Sequence, residues 1–86
     1  MWIIELSLAP TPGRLAARPA HRRRLTDLHN DRVVRMAGPL DGETGAIIIV
    51  DVPDRPAVDA IITDDPYFTT DGVTVVDVRE WHPFLD

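Results

Sequence analysis

No cysteine occurs among the 86 residues, so disulfides, thiolate metal sites and cysteine nucleophiles are all excluded. Lysine is missing too: all nine basic residues are arginine. No apolar run approaches the roughly 20 residues that a membrane-spanning helix needs. The N-terminus has no basic region leading into a long apolar segment, so neither a membrane partner nor a removable leader is expected. The default expectation is a cytoplasmic protein. Aromatic residues make up only 6% of the chain, and none lies between Arg14 and Arg24, where five arginines fall within eleven positions. A nucleic-acid surface normally combines a basic face with interleaved aromatics. Here the net charge is −5, and nucleic acid is not expected as a partner. Also missing are a glycine-rich phosphate loop, a nucleophile elbow and a Ser/His/Asp ordering. No two histidines have His-x-x-x-His spacing; His21 and His29 are eight apart, which on a helix is about 12 Å along the axis. Nothing suggests a flavin, nicotinamide, haem or metal, so no cofactor is expected.

What is present describes one small globular domain spanning residues 1–86. Apolar residues are 44% and charged residues 27% of the chain, ordinary values for such a domain. A chain of this length hides only roughly 60–65% of its unfolded surface, so its core is thin. Several very apolar strands on a thin core suggest that a second subunit covers part of the surface. The charge is unevenly spread, +4 over residues 1–40 and −9 over residues 41–86. The basic half reads most simply as a solvated helix face that meets the acidic half or a partner subunit.

In order, Trp2 to Ala9 alternates as a strand, with Trp2, Ile4, Leu6 and Leu8 on one face. Pro10 to Gly13 ends it. Arg14 to Ala17 suits a turn of helix, and Pro19 the first turn of the main helix, where its missing N–H has no consequence. That helix is expected to fade near His29-Asn30-Asp31. Arg32 to Ala37 reads as a short strand and Gly38-Pro39 as the turn that opens the loop to Gly45. Ala46 to Val52 has so little polarity that a central strand covered on both faces is expected. A second helix follows, with Asp54 as N-cap, Pro56 in its first turn, and Val58, Ile61 and Ile62 on its apolar face. Pro66 disfavours helical geometry at Asp65 and stops it. Val73 to Trp81 forms the last strand, before a short tail.

The order βαββαβ is that of the ferredoxin-like split βαβ, an α+β fold with an antiparallel four-stranded sheet and both helices on one face. Its open sheet face would leave a broad apolar patch, and two sheets pairing across a homodimer would cover it.

The candidate site starts on the first helix. Leu25 and Leu28 continue the stripe that His21 begins, while Arg22 and Arg23 fall off it toward solvent. An imidazole among apolar groups needs a hydrogen-bonding partner. Around it, Arg18-Pro19-Ala20-His21, Leu28-His29, Ala37-Gly38-Pro39, Asp65-Pro66-Tyr67 and a Trp81-Pro83-Phe84 ending occur in one order over essentially the whole chain. In this combination the chain resembles the YCII-related (YciI-like) family. The resemblance implies a dimeric α+β barrel, two ferredoxin-like subunits with their sheets against each other. It also implies that His21 and Asp65 form a catalytic pair. Related members act on chlorinated hydroxyquinone-type aromatic intermediates, and the wider superfamily includes muconolactone isomerases and small monooxygenases. Two departures stand out. Where members commonly have a glycine before the arginine that opens the second strand, Asp31 runs directly into Arg32, which is expected to tighten that turn and shift Arg32. The loop from Asp41 to Thr44 is short, which is expected to leave the pocket more open.

A carboxylate that accepts from one ring nitrogen fixes the tautomer and makes the other nitrogen a better base. Such a pair can move a proton next to a carbonyl or remove one during elimination. The leading expectation is therefore cofactor-independent proton transfer, of lyase, dehydrochlorinase or isomerase type, on a small cyclic or aromatic compound. His21 and Asp65 would be catalytic, with Arg18, Gly38, Pro39 and Tyr67 as substrate contacts. Each residue also has a plainer role: His21 as a satisfied core histidine, Asp65 as a turn cap, Tyr67 as core filling, Gly38-Pro39 as a turn, and Arg14 and Arg18 as surface charges rather than holders of an anion. His29 and His82 read as surface or end-of-element residues. The other function classes left open are a non-catalytic ligand-binding or accessory dimer and a purely structural dimer.

Overall fold

The computed structural model describes all 86 residues, in the order β1 (Trp2–Leu8), α1 (Pro12–Asn30), β2 (Val34–Pro39), β3 (Gly45–Val50), α2 (Arg55–Thr63) and β4 (Val73–Glu80). Short 3-10 turns cover Asp41–Glu43 and Pro66–Thr69. The four strands form one antiparallel sheet in the order β2-β3-β1-β4, as expected for the ferredoxin-like α+β fold. No helix is long and apolar enough to cross a membrane.

Period-two alternation decides which side chains meet the helices. Ile4 and Leu6 of β1, and Ile48 and Val50 of β3, join Val58 and Ile61 of α2 and Tyr67 and Phe68 in the buried core. Two irregularities let the edge strands follow. The β1–β4 register skips Val76, so Val75 and Val78 both join the core layer. The β2–β3 register skips Arg35 in the same way. The opposite sheet face carries Ile3, Met36, Ile47 and Ile49, with no helix on it. Helices cover β3 on one face only, so its unbroken apolar run serves two different surfaces. Met36 and Val76 are exposed.

Helix α2 starts as its sequence specifies, with Asp54 Oδ1 accepting from the Ala57 N–H at 3.0 Å. Helix α1 departs from expectation. It begins at Pro12, with Thr11 as N-cap accepting from the Arg14 N–H at 3.2 Å. Pro19 is therefore inside the helix rather than at its start. Its ring removes the bond to the Leu15 carbonyl, and both residues are exposed, so water can satisfy that oxygen. The Thr11 hydroxyl also donates to the Asp71 carbonyl at 2.7 Å, tying this helix end to the loop before β4. The strand β2 is likewise shifted: Gly38 and Pro39 pair with Ile47 and Ala46 as its last residues, so they form strand edge and not a turn. Proline is tolerated there because an edge strand leaves one side of its backbone unpaired.

At the C-terminus of α1, Val33 N–H donates to the Leu28 carbonyl and Arg32 N–H to the His29 carbonyl. This is the Schellman pattern, whose usual glycine position is held here by Arg32 at φ 64°. The missing glycine thus leaves the turn geometry intact and puts the strain on Arg32. Left-handed geometry costs a non-glycine residue roughly 1–2 kcal/mol, and glycine's greater unfolded freedom offsets about 0.4–1 of that. Arg32→Gly is expected to raise stability by about 0.5–1 kcal/mol, read as a higher urea midpoint at unchanged slope.

Candidate functional site

The crossover of α1 over the sheet and the turn after α2 bring together residues 44 apart in sequence: His21 Nδ1 is 2.7 Å from Asp65 Oδ2. Both are buried, at 7% and 5% exposure. The other carboxylate oxygen, Oδ1, accepts from the Tyr67 backbone N–H at 3.0 Å, which makes Asp65 the cap of the 66–69 turn. Ordinary turn chemistry thus locks the carboxylate in place. With both oxygens accepting, the imidazole donates from Nδ1, and in the neutral ring Nε2 is left with a free lone pair.

Aromatic packing fixes the ring plane. Tyr67 stacks on His21 with centroids 3.9 Å apart and planes 11° from parallel, and Phe68 meets it edge-on at 5.5 Å. The Tyr67 hydroxyl accepts from the Arg14 guanidinium at 3.3 Å. Arg14 is only 2% exposed and is anchored by Nε donating to the Ala9 carbonyl at 2.6 Å.

A cavity of about 530 Å³ opens beside this group. His21, Arg18 and Tyr67 line it, Gly38 and Pro39 form part of its β2 wall, and Leu6 and Ile48 contribute an apolar floor. The size suits a small-molecule ligand. Asp65 is not among the lining residues; it stands behind His21.

Arg22 and His29 are exposed, as the sequence suggests, and both also border the cavity. The Arg22 guanidinium, largely in solvent, stands 3.4 Å from Glu43 at the cavity mouth. His29 lines the same cavity, donating from Nδ1 to the Val34 carbonyl at 2.9 Å. Glu43 is the carboxylate that sequence reasoning missed. It accepts two bonds from Arg18, at 2.9 and 3.1 Å, and stands 4.0 Å from Arg14. No spacing rule connects it to arginines more than twenty residues earlier. The periodicity Arg14, Arg18, Arg22 was the available signal, since i, i+4, i+8 puts three cations on one helix face. The Arg18–Glu43 pair is about one-third exposed on each side, so it contributes at most about 0.2–1 kcal/mol. His82 is exposed beside Glu80. No three His, Asp or Glu side chains cluster in a way that would hold a metal ion.

The family model of the YCII-related domain matches residues 3–82. The chain belongs to the YCII-related family. The match spans β1 through β4 and takes in every residue of the cavity and of the His21–Asp65 pair. No curated protein matches the chain. In this YCII-related domain, then, one buried histidine–aspartate pair, an aromatic stack and an arginine-lined cavity share one end of the sheet.

Proposed function

We propose that this YCII-related protein is a cofactor-independent catalyst of proton transfer on a small cyclic or aromatic carbonyl compound. One observation carries the reading: a buried carboxylate holds His21 in a single tautomer beside a cavity of ligand size. Nε2 of His21 takes the proton from carbon next to the carbonyl, and Asp65 orients the ring and stabilises the imidazolium that forms. The Tyr67 hydroxyl and Arg18 contact the ligand, and the β2 edge at Gly38-Pro39 shapes its wall. Returning the proton to another carbon gives isomerisation; losing a leaving group such as chloride gives elimination. Both reactions share this first step. A non-catalytic binding module built on the same cavity is the second reading, favoured by the cavity's mostly apolar floor.

The test is deuterium incorporation in D₂O, followed by proton NMR over a panel of small cyclic ketones, lactones and chlorinated hydroxyaromatics. Protein-dependent exchange in at least one compound is the expected result. Ligand binding without any exchange would select the binding module.

The functional unit is a homodimer in this reading, with the sheet face of Ile3, Met36, Ile47 and Ile49 against its mate. Sedimentation equilibrium is expected to give twice the chain mass. Met36→Glu places a charge in that interface and should give the single-chain mass with unchanged circular dichroism.

A further inference from the structure

Three guanidinium groups line the cavity from one face of α1, and a single carboxylate, Glu43, answers them. Arg14 is fully enclosed, and its only side-chain hydrogen bonds go to the neutral Ala9 carbonyl and the Tyr67 hydroxyl. Its charge is balanced only at a distance, 4.0 Å from a Glu43 oxygen that is already shared with Arg18. Glu43 is also an unusual supplier of that oxygen. It sits at φ 54°, directly after Gly42 at φ 76°, in a one-turn loop with no side-chain cap. A non-glycine residue in that region is strained, so the carboxylate is presented by backbone that gains by relaxing. Beyond the arginines the floor turns apolar, with Leu6, Ala46 and Ile48.

We propose that the cavity takes a small organic carboxylate, whose anionic group is held by Arg14 and Arg18 in the place that Glu43 fills in the free protein. The planar fork of arginine matches a two-oxygen acceptor, whereas both Glu43 oxygens accept from a single nitrogen of Arg18, Nη1. A bound carboxylate would release the 41–43 loop outward and set the rest of the ligand on the apolar floor, beside His21. This assignment names the substrate class of the proposed proton transfer and rests on the cavity being its site. Glu43 thereby acts as an internal competitor that keeps the arginines paired until a matching anion arrives.

Benzoate and its neutral analogue benzamide are suitable probes, followed by calorimetry and by amide NMR shifts of residues 40–45. Benzoate is expected to bind at least tenfold tighter than benzamide and to move the Gly42 and Glu43 amide signals. Glu43→Gln removes the competitor and should tighten benzoate threefold or more without changing benzamide. Arg18→Gln should weaken benzoate at least tenfold. Both altered side chains are partly exposed, so the variants should fold, as their amide spectra would verify. Equal affinity for the two probes, or weaker benzoate binding in Glu43→Gln, overturns the proposal. These measurements involve no turnover. Absent deuterium exchange with a strong benzoate preference would refute proton transfer alone, and exchange without that preference would refute the carboxylate class alone.

Discussion

His21→Gln is expected to lose protein-dependent deuterium exchange by a factor of about 10²–10⁴, the usual contribution of a positioned general base. Glutamine keeps an N–H that can still donate to Asp65 Oδ2, so the buried carboxylate is not orphaned. It has no basic nitrogen to take a proton, and it forfeits the stack on Tyr67 seen at 3.9 Å. The stack alone is worth about 0.5–1.5 kcal/mol, and the edge contact with Phe68 adds to the expected loss of stability. A large fall in exchange with a small fall in urea midpoint is therefore the signature of a base. If the exchange rate survives, His21 is not that base. If stability collapses while exchange per folded molecule holds, the imidazole is a core group and the structural reading prevails.

Asp65→Ala should have the largest effect on folding, a loss of about 2–4 kcal/mol. Two donors lose their acceptor at once, His21 Nδ1–H and the Tyr67 backbone N–H, and a buried unsatisfied donor costs about 1–3 kcal/mol. A switch to the Nε2–H tautomer moves the histidine's proton to its other nitrogen, which keeps the sum below the upper limit. Asp65→Asn should fall between wild type and alanine. The amide oxygen can keep the Tyr67 N–H, while its NH2 can pair with Nδ1 only if His21 switches to the Nε2–H tautomer. Chemical denaturation of the three proteins gives the order directly. An asparagine variant as stable as wild type would show that the tautomer switch keeps both hydrogen bonds at no cost to the fold.

Much of the architecture was readable from local pattern. Alternation in Trp2 to Leu8 and the apolar spacing of Val58, Ile61 and Ile62 are short-range signals, and each appears where the pattern puts it. The departures share a cause: proline and glycine signal breaks in isolation that the surrounding structure here overrides. Pro19 reads as a helix start because its ring disfavours a helix interior, yet nineteen residues anchored by the Thr11 cap override one missing hydrogen bond. Gly38-Pro39 reads as a turn, yet pairing with Ile47 and Ala46 carries the strand through it. At the site, His21 was legible as an imidazole on an apolar stripe that needs a partner, while Asp65, locally only an acid before proline, was named as that partner by the family resemblance. Glu43 posed none. Its significance arises from a chain reversal that sets it against helix α1, and no window of sequence contains both.

The same separation in sequence has a consequence for how the protein is made. Helix α1 and its imidazole belong to the first βαβ half, while the carboxylate and the stacking tyrosine belong to the second. During synthesis the histidine leaves the ribosome 44 residues ahead of its acceptor. At rates of about 5–20 residues per second, it waits several seconds without a partner. The His21–Asp65 pair is thus among the last features to exist, formed only once both halves have docked.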